Sequence, residues 1–164
     1  MTIVSRSLGV LTTFDHMHRF ALSHASKCIW AHSGGPYGEN GASTVGIANM
    51  SMSLAVDMWY NEIVSYNFSA PGFSEATGHL TQLLWMATHT VGCAMVACTP
   101  AQLGFDWPNP AEPAYNVWCE YSDLPGNVIG SFAENVRPPI GVQLVNGFVP
   151  TASAAAGPTS MPVS

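Results

Sequence analysis

Positive charge is scarce in this 164-residue chain: four Lys and Arg stand against ten Asp and Glu, and charged residues make up 9% of the total. An ordinary globular protein carries roughly a quarter. The four bases are Arg6, Arg19, Lys27 and Arg137, so the stretch from Cys28 to Val136 has none, yet it holds nine of the ten acids. A nucleic-acid binder needs a basic footprint to neutralise phosphates, and none is present. A polybasic patch for an anionic membrane is also missing. No apolar run approaches the roughly 18–20 residues of a membrane-spanning helix. The scarcity constrains the interior too. A carboxylate buried in that stretch must find a His, a metal ion, a proton or a distant base, because an unpaired buried charge is too costly.

Signatures of common chemistries are missing as well. There is no G-x-S-x-G elbow, no Gly-rich phosphate loop and no H-E-x-x-H pair. Ser33, beside His32, is the one weak nucleophile candidate. Cys28, Cys93, Cys98 and Cys119 show no zinc-finger spacing. An even count fits two disulfides and an oxidising compartment; buried thiols are the alternative. Met1–Val10 has no sustained apolar core, so it does not read as a secretory signal.

What is present reads as an α+β domain. Phe14, Met17, Phe20, Ala21, Ala25 and Cys28 recur at helical spacing and predict a helix from about Phe14 to Ile29. His32 to Asn40 is turn-rich. Leu54, Ala55, Met58, Trp59 and Ile63 predict a second helix over Ser51–Tyr66, and a third begins near Thr77. Thr90–Ala97 and Asn116–Tyr121 read as strands. From Pro138 the chain turns rich in Pro, Ala, Ser, Thr and Gly, and Ala152–Ser164 has nothing to bury; a disordered tail is expected over 138–164.

Two groups of residues could carry chemistry. His32, Glu39, Glu62 and His79 form an inventory suited to a divalent metal or to acid–base work, although their spacing is not diagnostic. Each His, taken singly, reads as a surface or structural residue. Tyr66, Phe68 and Phe73 surround Pro71-Gly72 in a loop; they either anchor that loop to the core or wall an apolar groove.

A resemblance adds to this reading. Gly78-His79-Leu80-Thr81-Gln82-Leu83-Leu84-Trp85, then Thr88 and Val91-Gly92-Cys93, resembles the first signature of the CAP superfamily of cysteine-rich secretory, antigen 5 and pathogenesis-related proteins. Cys119-Glu120-Tyr121 with Pro125-Gly126-Asn127 resembles the second. His32-Ser33, Tyr37-Gly38-Glu39-Asn40 and Trp59-x-x-Glu62 match the elements between. The Asn67–Gly78 loop is similar to the fungal branch. The match covers 11–137 and leaves 1–10 outside it.

The resemblance implies a three-layer α/β/α sandwich with a small antiparallel sheet. It implies a cleft tetrad of His32, Glu39, Glu62 and His79, with His32 and His79 as ligands for a divalent metal, zinc or magnesium. It places sterol binding at the loop of Tyr66, Phe68 and Phe73, a fatty-acid groove between helices in some members, and disulfides at Cys28–Cys93 and Cys98–Cys119. It implies an extracellular protein that binds a small lipid, with no general enzymatic reaction. A metal-dependent hydrolase or protease built on the tetrad is the alternative, as is an extracellular signalling or virulence ligand recognised by a host or cell-surface protein. The chain departs from the pattern in three places. The family's first helix, with its H-N-x-x-R element, has no counterpart, which reads as a truncated product and predicts exposed apolar surface. Ser122-Asp123-Leu124-Pro125 is one residue longer than the family's turn. The tail has no equivalent.

Overall fold

A computed structural model of the protein describes residues 8–122 and 124–150, with side chains from Asp15 onward. The expectations for the extreme N-terminus and for 151–164 lie outside these residues.

The sheet has three antiparallel strands in the order β1-β3-β2. They are β1 (Gly38–Val45), β2 (Thr90–Cys98) and β3 (Ala114–Ser122). β3 is central and almost wholly buried. Its alternation divides the core, as strand geometry requires. Val117, Cys119 and Tyr121 point to one face and meet Ala55 and Trp59 of α2 (Met52–Tyr60). Trp118 points to the other face and meets Ala21 and Ala25 of α1 (Leu8–Ala25). Helices on both faces of one small sheet make the expected three-layer sandwich.

α1 begins at Leu8 rather than Phe14 and ends at Ala25. Its inward residues, Met17, Ala21 and Ala25, are fully buried, and two are alanines, so helix and sheet approach closely. Gly92 marks the contact: a Cβ there would lie 2.5 Å from the backbone nitrogen of His18. The helix stops because Cys28 takes a left-handed conformation, φ 51°, and turns the chain away.

Ser51 caps α2 by accepting the Leu54 N–H at 3.2 Å. The expected single helix over Ser51–Tyr66 instead tightens into a 3₁₀ helix at Asn61–Ser65. α3 (Gly78–Leu83) and the short α4 (Phe132–Asn135) complete the domain. Ile63, Tyr66, Leu80, Trp85, Phe132 and Val136 form a second core cluster there. On the α2 side of the sheet, Val91 and Met95 of β2 are exposed.

The start of β1, Gly38–Asn40, was expected as turn; Gly38-Glu39-Asn40 is poor in strand-forming residues. Packing overrides that preference. The indole of Trp59 donates to the Gly41 carbonyl at 2.9 Å. The Trp118 ring lies over Gly41, where a Cβ would come within 2.5 Å of it. The described segment after Val136 makes contacts with the domain. Val145 and Phe148 form an antiparallel bridge. Val149 packs on the second core cluster, and the Gly147 carbonyl accepts the Phe68 N–H at 2.8 Å.

All four cysteines are in disulfides, but the pairing implied by resemblance is corrected: the bonds are Cys28–Cys98 and Cys93–Cys119. The register decides this. Cys93 stands directly opposite Cys119 across β2 and β3, with Cα atoms 4.1 Å apart, whereas Cys98 lies at the far end of β2 opposite Ala114. That end is where α1 delivers Cys28, at a Cα separation of 5.9 Å. Non-reducing peptide mapping should recover these two pairs. The Cys28–Cys98 bond closes 70 residues. Replacing both cysteines with Ser should cost about 4 kcal/mol in urea unfolding under the loop-closure estimate.

Candidate functional site

The edge strand β1 divides the site between its two faces. Glu39 points to the α1 face. Its Oε1 accepts the His32 Nδ1–H at 2.6 Å, and the Ser33 N–H reaches Oε1 at 2.9 Å and Oε2 at 3.2 Å. Asn40 points to the other face, where its Nδ2 donates to the His79 carbonyl at 3.0 Å and to the Tyr121 hydroxyl at 3.2 Å. On that face the 3₁₀ helix supplies Glu62 and the start of α3 supplies His79. Glu62 Oε1 accepts the His79 Nδ1–H at 2.8 Å, and Oε2 accepts the Leu80 N–H at 2.9 Å. The His79 ring lies parallel to the Trp59 indole, centroids 6.3 Å apart. Two imidazole–carboxylate pairs therefore form on opposite sides of one strand.

Each carboxylate accepts from an imidazole and from a backbone N–H, Glu62 through separate oxygens and Glu39 with the N–H shared between both. An ionised carboxylate can only accept, so the proton sits on Nδ1 in both rings. His32 is half open, its side chain 54% exposed, while the His79 side chain is 6% exposed.

A cavity of about 460 Å³ opens at this edge. His32, Glu39 and His79 line it together with Asn40, Phe73, Glu75, Gly78 and Asn127. Glu62 stands behind His79 and is not part of the wall. Tyr66 is buried and Phe68 half-buried, their rings 4.8 Å apart edge to face in the second core cluster. Phe73 alone of the loop aromatics is exposed, at 51%. Its ring covers Gly78, where a Cβ would lie 3.1 Å away.

Three polar residues of the site were not singled out from the sequence. Asn40 and Asn127 could have been suspected only from their motifs. Glu120 had a physical signal: an acid within a strand, in a stretch without bases. It stands opposite Glu39 in the β1–β3 register and is fully buried. No N–H or alcohol hydroxyl donates to either of its oxygens; its polar neighbour is the Glu39 carboxylate. Burial, then the hydrogen bond that its protonated form donates to Glu39 and the Glu39 charge, push its carboxyl up to about 9. Glu39 goes the other way. Burial would raise it, but the hydrogen bonds from His32 and Ser33 outweigh that and bring it down to about 2. The hydrogen bond to Glu39 likewise raises His32 above the ordinary imidazole value, against its partial burial. At neutral pH, Glu120 is therefore the protonated acid and Glu39 the carboxylate.

Among the described residues, no group of three or more His, Cys, Asp or Glu side chains is placed to hold a metal ion. The donor chemistry still suits a two-nitrogen site. Metal-binding histidines are typically oriented by a carboxylate on the other ring nitrogen, and both rings have one.

Fold and cleft together define an α/β/α domain with paired imidazole–carboxylate groups at a sheet edge. The sequence matches the cysteine-rich secretory protein (CAP) family over residues 11–121, and the chain belongs to that family. It is 41% identical over 137 residues to the protein named PRY2 of Saccharomyces cerevisiae, covering 81% of this chain and 36% of that protein. It is 33% identical over 149 residues to a probable pathogenesis-related protein of Arthroderma benhamiae, covering 86% and 47%. To pathogenesis-related protein 1 of Arabidopsis thaliana it is 37% identical over 95 residues, covering 56% and 58%. The chain thus spans well under half the length of the yeast relative.

Glu120 gives a pH test. Its folded value of about 9 lies above the ordinary 4.5. Its contribution to stability is therefore fully present below about pH 4.5 and declines as pH rises toward 9. Glu120→Gln, which cannot ionise, should remove that decline. Thermal melts from pH 5 to 9 should show a flatter profile than the parent, with a gain of about 1–3 kcal/mol at the alkaline end.

Proposed function

We propose that the protein is a secreted, non-enzymatic carrier of a small lipid, a sterol in the first instance, held against the Tyr66–Phe73 loop at the mouth of the cleft. The observation that carries this reading is Phe73. A half-exposed aromatic ring is held at the rim of an otherwise polar cavity. Such a ring gives apolar area while neighbouring polar groups orient a ligand's hydroxyl. The loop is supported for this role at both ends. Phe68 and Tyr66 root it in the core, and Gly147 ties it to the segment behind. Within the loop, Asn67 Oδ1 accepts the Ser69 N–H at 3.0 Å. Extracellular location is supported by the family and by two disulfides, which persist in oxidising compartments.

The cleft also suits a divalent metal, and the donor set favours zinc over magnesium, because imidazole suits zinc and magnesium prefers oxygen. His32 and His79 would hold it, oriented by Glu39 and Glu62. A bound zinc would supply Lewis-acid polarisation of a ligand oxygen. The chain's own residues hold the two rings in one tautomer and keep their carboxylates satisfied by backbone N–H groups. A hydrolase with a cysteine nucleophile has less support, since all four cysteines are spent in disulfides.

Tritiated cholesterol binding tests the lipid reading. Phe73→Ala should weaken binding about tenfold, the loss of roughly 1.4 kcal/mol of contact, with an unchanged melting temperature. Phe68→Ala should instead lower the melting temperature, because it opens the core. Absence of binding by the intact chain rejects the carrier function, and full binding by Phe73→Ala rejects the loop. Zinc titration by calorimetry should detect one site that is lost in His79→Ala.

A further inference from the structure

The loop that follows β3 displays apolar side chains to solvent at the rim of the cleft. Val128 to Ser131 form a tight turn, closed by the Ser131 N–H donating to the Val128 carbonyl at 3.1 Å. Gly130, third in that turn, has φ 92°, a conformation that calls for glycine. Ile129 stands second, at the tip, and is 79% exposed. Val128 and Leu124 on the same loop are exposed as well. Turns ordinarily present Gly, Pro, Asn, Asp or Ser, so three branched apolar residues are not explained by the turn itself.

The loop is firmly held. Asn127 Nδ2 donates to the Gly78 carbonyl at 3.0 Å, and its Oδ1 accepts from the Thr81 hydroxyl. The Gly126 N–H donates to Gln82 Oε1 at 3.0 Å. The Thr88 hydroxyl donates to the Leu124 carbonyl, and Asn135 Nδ2 donates to the Ser131 carbonyl at 2.9 Å. Anchors from α3 and α4 thus keep the apolar tips presented, and a surface that binds them has little loop ordering to offset. The loop also adjoins the cleft mouth. Asn127 and Phe73 both line the 460 Å³ cavity, and both touch Gly78.

Size and charge indicate what this rim meets. Four side chains on two loops fall far short of the roughly 20–30 residues that each side of a stable protein interface contributes. Projecting apolar tips can instead gain their burial by entering the boundary between lipid headgroups and acyl chains. The stretch from Cys28 to Val136 holds nine acids and no Lys or Arg, so an anionic lipid surface is disfavoured. A choline headgroup is complementary. Its quaternary ammonium suits both the aromatic face of Phe73 and the carboxylate of Glu75, which line the cavity together.

We propose that Leu124, Val128 and Ile129, together with Phe73, dock the cleft mouth onto a phosphatidylcholine-rich lipid surface, from which the cleft takes its ligand. The taking of a ligand rests on the carrier reading above; the docking does not.

Flotation of the full chain with sterol-free phosphatidylcholine vesicles tests the docking. The chain should float with the vesicles, and added salt should not release it. Ile129→Ser and Leu124→Ser should each lower the partition coefficient about tenfold, because each removes one apolar side chain from the lipid. Neither should change the melting temperature, since both positions are exposed. Replacing part of the phosphatidylcholine with phosphatidylglycerol should weaken binding. Phosphatidylcholine bicelles carrying a nitroxide-labelled lipid should broaden the ¹⁵N–¹H signals of Phe73, Leu124, Val128 and Ile129 before others. The proposal is overturned if the chain does not float, if both variants float like the parent, or if phosphatidylglycerol strengthens binding. Broadening centred elsewhere also overturns it. So does a lipid-free dimer that Ile129→Ser dissociates, because a second copy would then cover the tips. Flotation without cholesterol binding would reject the carrier function and leave the docking in place.

Discussion

The Glu39 carboxylate is the group on which the cleft depends. It draws the His32 imidazole and the Ser33 N–H onto the edge of the sheet, and so sets the direction of the whole His32–Tyr37 turn. It also faces Glu120 across the β1–β3 ladder. Two carboxyl groups at that position cannot both ionise in a buried setting without a cation between them. The asymmetry of their surroundings resolves the conflict. Glu39 accepts from His32 and Ser33 and keeps the charge, whereas Glu120 keeps the proton and donates it in a hydrogen bond to Glu39. The charge balance forced by a base-free core is thus met with one imidazole, one backbone amide and one retained proton.

The same strand organises the other half of the cleft. Because side chains alternate along β1, Asn40 emerges opposite Glu39 and ties the His79 backbone and Tyr121 together. The strand survives its poor composition because its neighbours need its small residues. Trp118 occupies the space above Gly41, and Gln82 occupies the space beside Gly38. The glycines that lower strand propensity are what allow an indole and a carboxamide to pack against the backbone. Local preference and tertiary packing conflict here, and packing prevails.

Much of this architecture was legible beforehand. α1 and α2 were visible in the spacing of Met17, Ala21 and Ala25 and of Ala55 and Trp59, and β2 and β3 in their small and β-branched content. His32, Glu39, Glu62 and His79 stood out by residue type, but only the motif resemblance grouped them, since the gaps between them match no periodicity that would gather them. β1 was missed because its stability comes from nonlocal contacts. The disulfide pairing was misassigned for a related reason: which cysteines meet depends on strand register, and register depends on which side chains the core accepts.

The sequence by itself determined the classes of residue the interior must reconcile: many acids, few bases, four cysteines and an aromatic loop. It also determined the family, through motifs whose order and identity are specific. Only the tertiary structure decided how these were combined. It placed Cys93 opposite Cys119, buried Tyr66 and half-buried Phe68 while leaving Phe73 outside, and set Glu120 opposite Glu39. Each of these outcomes turns on distances between residues far apart in the chain. Charge compensation, disulfide geometry and burial act over a few ångströms in space, and only folding brings those residues within that range.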